Sequence, residues 1–266
     1  MSQRPPLLMD DHSALAALDV HFAMALGCSA ADLRRPGWTV VTARDDGDPM
    51  ALLFGKRRLL SVIVPRPQPA SAPLAGVARV APELRESVAA LLAELPLPAI
   101  TTHEGLRALD RLIASGAPAH DTALREAHTH VRYVTQQSFR PYRGAWQEWI
   151  EPLDEASELD TGALGLLANF GGGVYVVRRQ GHVVSYAGIR TLSPHVAEVQ
   201  VRTSAEELRG HGLARAVVSR ATRAVLAGGR LPLYRHRTTH PPSERVAHAL
   251  GYRLYADAID YIAPAR

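Results

Sequence analysis

Arg209-Gly210-His211-Gly212-Leu213-Ala214 is a glycine-rich turn poised to open a helix, and the chemistry open to such a turn is phosphate binding. Glycine lets the backbone come close to a ligand, and the first helical N–H groups lack intrahelical partners and point outward. His211 would supply mainly its backbone N–H and Arg215 a cation from the helix, while Arg220 reads as part of a solvated helix face. The same six residues can also be read as a tight turn and nothing more. Gly171-Gly172-Gly173 precedes a strand rather than a helix and reads as a flexible turn. His236 and His240 are spaced i,i+4, but Pro241-Pro242 denies them a shared helix and no third ligand is near, so no metal is expected. No Ser-His-Asp spacing is evident.

The elements that must position the loop are legible on both sides of it. Residues 197–203 alternate as a half-buried strand should, and residues 213–226 carry a helical pattern. Further on, 231–238 reads as a strand. Ser243 reads as an N-cap and Gly251 as the residue just past a helix end. Before the loop, 146–152 is expected as a strand, 158–168 as a helix, and 174–179 and 182–192 as a hairpin across Gln180-Gly181. A last strand is expected over 252–262.

This order resembles the GCN5-related N-acetyltransferases, the GNAT family, over roughly 144–266. The family's motif A asks for Arg or Gln, then Gly three residues on, then Gly or Ala two after that; here these are Arg209, Gly212 and Ala214. The 239–252 segment is similar to the family's closing segment, with His240 where the family usually has Asn and Ser243 in its capping turn. The resemblance implies an α/β fold with a mixed, splayed central sheet flanked by helices. It implies acetyl-CoA as co-substrate, with no metal. Gly210, His211, Gly212, Leu213, Ala214 and Arg209 would hold the pyrophosphate, with Arg215, His240 and Ser243 beside them. Backbone around Gln200 and Val201 would pair with the pantetheine arm. Glu198 is the implied general base, and partial burial would raise its pKa towards a useful value; its alternative is an ion pair with Arg190 or Arg202 that only shapes the strand. His182, Tyr186, Tyr234 and His236 lie on strands near the expected cleft and read as packing or acceptor recognition. The family's usual general acid, a Tyr four residues before the late Gly-aromatic pair, is replaced here by Ala247. The implied activity is acyl transfer from acetyl-CoA to a primary amine by direct attack; the alternative is a GNAT-fold protein that binds acyl-CoA without catalysis.

Composition narrows the class. The 266 residues fit one large or two small domains. The lone cysteine, Cys28, rules out an internal disulfide and a thiolate cluster, and suits a cytoplasmic protein. Residues 1–11 carry no apolar core, so no secretory signal is expected, and the uncharged stretch 161–177 is interrupted by Asn169 and a glycine triplet. Lys56 is the only lysine, so the basic balance reads as coding bias. Residues 1–130 hold 13 Arg and Lys against 14 Asp and Glu, a net of −1; residues 131–266 hold 17 against 12, a net of +5. The excess lies with the proposed nucleotide loop, where it would draw a polyphosphate ligand. No nucleic-acid motif or aromatic platform is present, so neither nucleic acid nor membrane is expected as a partner. A small-molecule or peptide amine acceptor is expected, and a homodimer is open.

The first half, 1–130, is expected as a smaller α+β domain, with a boundary near residue 130. It has helices over 13–26, 80–95 and 102–115, strands over 38–43, 50–54 and 59–64, a turn at 45–48 and a loop over 65–73. Residues 124–134 are read as a bridge between halves. A degenerate GNAT-like copy, a dimerisation element and an acceptor-side lid are the alternatives for its role.

Overall fold

The computed structural model describes residues 10–43, 56–67, 69–116, 124–153, 165, 167–204 and 206–264. The expected strand at 50–54, the turn at 45–48 and most of the helix at 158–168 lie outside them. The chain divides into two compact units. One joins Met1–Ala17 to Arg132–Leu254, and the other joins Leu18–Val131 to Tyr255–Arg266.

The loop-bearing unit is built on β5 (Ile150–Leu153), β6 (Val174–Arg179), β7 (His182–Thr191), β8 (Val196–Thr203) and β9 (Leu231–Arg237). They lie in the order β9-β8-β7-β6-β5. Neighbours from β5 to β8 are antiparallel, and β8 and β9 are parallel, so the sheet is mixed, as expected. Helix α4 (Leu213–Ala227) crosses one face, burying Leu213, Val217, Ala221 and Val225 at i, i+4 spacing against Ala187, Ile189, Ala197 and Val199. Helix α5 (Pro241–Ala249) adds Ala247 to that core. The other face carries a smaller cluster of Leu153, Phe170, Val174 and Val176. Residues 145–149 form a 3₁₀ turn, so the strand expected over 146–152 begins only at Ile150.

Two helix ends explain much of the local geometry. The N-cap of α5 is His240 rather than Ser243, because Pro241 and Pro242 take the first helical positions, where a missing N–H costs nothing. Ser243 then falls inside the first turn, its Oγ 2.9 Å from His240 Nδ1. At the other end Gly251 takes φ +84°, its N–H donates to His248 (3.1 Å), and the Tyr252 N–H donates to Ala247 (3.0 Å), the paired bonds of a Schellman ending.

The other unit holds β1 (Gly37–Thr42), β2 (Lys56–Pro65), β3 (Ala75–Val80), β4 (Leu124–Tyr133) and β10 (Arg253–Pro264), in the order β1-β3-β2-β10-β4. Four departures from the sequence reading stand out. Residues 75–80 form a strand. Pro82 opens a 3₁₀ turn, so that α2 starts at Arg85 and runs to Glu94. Residues 124–133 form a strand rather than a bridge, and the C-terminal strand pairs antiparallel with β2. Helices α2 and α3 (His103–Gly116) bury Val88, Leu92, Leu109 and Ile113 against Leu60, Val62, Ile259 and Tyr261. From α1 (Asp11–Leu26), Asp19 accepts the Tyr255 hydroxyl (2.7 Å) and both arms of Arg34 (2.7 Å each).

A titratable cluster in this unit gives a pH prediction. Asp257 is buried, with Arg66 at 2.8 Å, His128 at 3.4 Å and His130 at 3.3 Å. Burial alone would raise its carboxyl; hydrogen bonds from the two histidines and the Arg66 guanidinium outweigh it and hold the carboxyl well below the usual carboxylate range. A depressed folded pKa contributes stability above the unfolded value of about 4 and loses it as pH falls below that value. Thermal midpoints from pH 7 to pH 3 are therefore expected to fall less steeply in Asp257→Asn than in the native chain, with the native chain the more stable at pH 7. Parallel curves would contradict the assignment.

Candidate functional site

Strands β8 and β9 part company midway. Their parallel pairing runs Val196 with Leu231, Ala197 with Pro232 and Glu198 with Leu233, and stops there. Both strands continue, β8 to Thr203 and β9 to Arg237. Beyond the fork, β8 still pairs with β7 on its far edge, so its near-edge N–H and C=O groups from Val199 to Thr203 turn away from any β9 partner. Unpaired strand backbone of this kind is a template for an extended ligand.

A cleft of about 810 Å³ opens at this fork. One wall is Val201, Arg202 and Thr203; the floor is the run from Leu208 to Arg215; the other wall is Tyr234, His240 and the exposed face of α5. Gly210 and Gly212 both sit at positive φ, +83° and +87°. Gly212 is the N-cap of α4, and no side chain caps the helix, so the N–H groups of Leu213, Ala214 and Arg215 face the cleft end of the helix dipole. The loop is held from below: the His211 carbonyl accepts the Trp146 indole N–H (2.8 Å), and the Tyr142 N–H donates to Ser219 Oγ (2.9 Å) on α4. Arg215 stacks over the Tyr142 ring at 4.9 Å. Arg202, Arg209, Arg215 and Arg245 line the cleft and, among the described residues, no carboxylate does, an electrostatic setting for an anion. Arg209 itself is ion-paired with Glu206 at 3.0 Å.

Of the residues read as coenzyme contacts, Val201, Arg209, Gly210, His211, Gly212, Leu213, Ala214, Arg215, His240 and Ser243 all line this one cleft. Gln200 does not; its side chain donates to Glu198 Oε2 at 2.8 Å. Glu198 is buried at 8 % exposure and lies outside the cleft lining, at the last paired position before the fork. Among the described residues it forms no ion pair with Arg190 or Arg202; Arg190 lies over the Phe170 ring instead. Tyr234 lines the cleft, whereas His182, Tyr186 and His236 do not. His236 is buried and accepts from Arg132 Nε at 3.0 Å, with Glu244 holding the same guanidinium at 2.8 Å. Ala247 is fully buried in the core under α4, so the position of the family's usual acid takes no part in the cleft.

Pro242, Arg245, Val246 and Ala249 were missed as cleft residues, although their i, i+3, i+4, i+7 spacing marks one face of α5. Among the described residues no cluster of metal-ligating side chains occurs, and no helix is long and apolar enough to cross a membrane.

Residues 167–258 match the family model described as GNAT acetyltransferase. The stretch that holds the fork, the glycine loop and α5 is therefore of GNAT kind. No curated protein matches the chain. Among solved structures, a GNAT-family protein of Novosphingobium aromaticivorans shares 20 % identity over 56 % of this chain and 70 % of its own, with a TM-score of 0.43. A GCN5-related N-acetyltransferase of Kribbella flavida shares 17 % over 59 % and 64 %, with a TM-score of 0.40. The yncA protein of Salmonella typhimurium, whose structure holds its cofactor acetyl-CoA, shares 18 % over 41 % and 76 %, with a TM-score of 0.31. The chain spans about two thirds of the length of the first two.

Proposed function

We propose that this protein is an acyl-CoA-dependent N-acyltransferase that moves an acetyl group from acetyl-CoA to a primary amine by direct attack. The observation that carries the reading is the fork between β8 and β9 with the glycine loop at its mouth. The free N–H groups of Leu213, Ala214 and Arg215, with Arg209, Arg215 and Arg245, suit a pyrophosphate. The near edge of β8 beyond Glu198 suits an amide-bearing arm, which would add to the sheet as an extra strand. Glu198 is the last β8 residue paired with β9, at the start of that free edge.

The protein's task in this reaction is to place an amine against a thioester, take a proton from the nitrogen and let the thiolate leave. Glu198 takes the proton, through water, as general base. Gln200 fixes its carboxylate. Calorimetric titration tests the cofactor half of the reading: acetyl-CoA is expected to bind with one site per chain, and the affinity is expected to fall with added salt because arginines and a helix N-terminus hold the anion. No heat at high micromolar coenzyme would overturn it. Binding without turnover across a broad amine panel would favour the non-catalytic alternative, for which the burial of Ala247 speaks.

A further inference from the structure

Arg190 stands directly opposite Glu198 in the register of β7 and β8. Their neighbours Ile189, Ala197 and Val199 pack under α4, so both side chains rise from the other face of the sheet. Side chains paired in this way start about 5 Å apart, a distance at which arginine and glutamate ordinarily close into an ion pair. Here each is engaged elsewhere. Glu198 accepts from the neutral Gln200 amide (2.8 Å), and the Arg190 guanidinium lies over the Phe170 ring, 5.8 Å from its centroid. Phe170 is fixed in place because it packs on Gly188, where a Cβ would come within 2.3 Å of the ring. The shelf under Arg190 therefore depends on the missing side chain at 188. Arg190 is half-buried, and among the described residues no carboxylate pairs with it, whereas Arg178 on β6 is neutralised by Glu151 at 2.8 Å. Nor does Arg190 line the coenzyme cleft, so the phosphates proposed there do not account for it. A partly desolvated cation without an anion is costly, and a bound anion would offset that cost. The planar guanidinium fork matches a carboxylate.

We propose that the acceptor is a free amino acid, whose amine meets Glu198 while its carboxylate is held by Arg190 on the sheet face opposite α4. The proposal rests on the acyl-CoA reading above and names the acceptor of that same reaction. In the step, the neutral amine nitrogen bonds to the acyl carbon and its proton passes through water to Glu198. The carbon–sulfur bond breaks with its electron pair going to sulfur, and the coenzyme leaves as the thiolate. Arg190 takes no part in that exchange; it determines which amine is presented. The neighbouring carboxylate and guanidinium match the opposite charges of an amino acid's two ends. A polyamine would instead set its second cation against Arg190, so the same pair selects against polycationic acceptors.

The test measures thiol release from acetyl-CoA with the proteinogenic amino acids, their methyl esters and the amines left by decarboxylating them. The native protein is expected to favour its best amino acid over the matching ester and amine by about 10²-fold in kcat/KM, as a charge-assisted carboxylate contact supplies. In Arg190→Gln that preference should fall about 10²-fold, with most of the loss in KM for the amino acid. Arg190→Lys keeps the charge without the fork and should retain about a tenfold preference; it carries the test if Arg190→Gln proves unstable. Calorimetric affinity for acetyl-CoA should be native in both variants, because Arg190 lies outside that cleft. Equal turnover of amino acids and esters by the native chain, or an undiminished preference in Arg190→Gln, would overturn the proposal. Turnover of carboxylate-free amines alone would overturn it and leave acyl transfer intact. Acetyl-CoA binding with no turnover of any amino acid would overturn it and leave the coenzyme site intact, whereas no acetyl-CoA binding to the native chain would overturn both readings.

Discussion

Gly212→Val is expected to abolish measurable acetyl-CoA binding in a protein that still folds. Gly212 holds φ +87° at the N-cap of α4, a conformation that costs an ordinary L-residue about 1–2 kcal/mol and a β-branched one more. A Cβ there would stand in ordinary van der Waals contact with the Tyr142 hydroxyl, at 3.4 Å, so the strain lies in the backbone conformation rather than in crowding. The cheapest escape is for the loop to leave positive φ, which swings the N–H groups of Leu213 and Ala214 away from the cleft. Charge-assisted bonds to a phosphate are worth about 1.5–3 kcal/mol each. Losing two lowers affinity by about 10²-fold or more. Gly212→Asn is the control, because Asn tolerates this backbone region and should retain most of the affinity. Calorimetry decides between them, with the thermal midpoint as the check on folding. Equal binding by the Val and native proteins would remove the glycine loop from the site.

The parts of the site that local chemistry specifies were legible. The glycine loop and Gly251 each answer to a backbone constraint that only a few residue types meet, and both appear where the pattern put them. The alternation of 197–203 and the apolar spacing of α4 are likewise local, and burial enforces them. What escaped is decided by partners far away in the chain. Residues 75–80, Ala-Gly-Val-Ala-Arg-Val, offer little bulk and no clear alternation, and become a strand because β1 and β2 flank them. Residues 124–133 carry charged and histidine side chains that mask their strand character; β10 supplies the neighbour. The C-terminal strand reads as a strand in isolation, but which sheet it joins is a question of pairing with β2, over residues 56–65. The cap of α5 went to His240 because two prolines outweigh one serine in fixing where a helix begins. Glu198 could be placed on its strand from the sequence, yet its position at the last paired residue before the fork needed β9.

That position makes Glu198→Gln the sharpest catalytic prediction: kcat should fall about 10³-fold with acetyl-CoA affinity unchanged. The substitution is nearly isosteric. The amide oxygen it introduces can still accept the Gln200 N–H that now binds Glu198 Oε2 at 2.8 Å, so the strand and its backbone pairing with Arg190 of β7 need not move. Basicity is what disappears. Glu198 lies outside the coenzyme cleft, so a change there leaves the phosphate and arm contacts untouched and should register in kcat rather than in coenzyme binding. A merely structural Glu198 would behave otherwise: Gln would be tolerated in kcat, and any loss would appear as a lower thermal midpoint. Glu198→Asp adds a second discrimination, since it keeps a carboxylate but draws it back by one methylene. Through an intervening water the shorter acid should recover part of the lost rate. Native-like kcat in Glu198→Gln with a productive amine would show that the acceptor nitrogen loses its proton elsewhere.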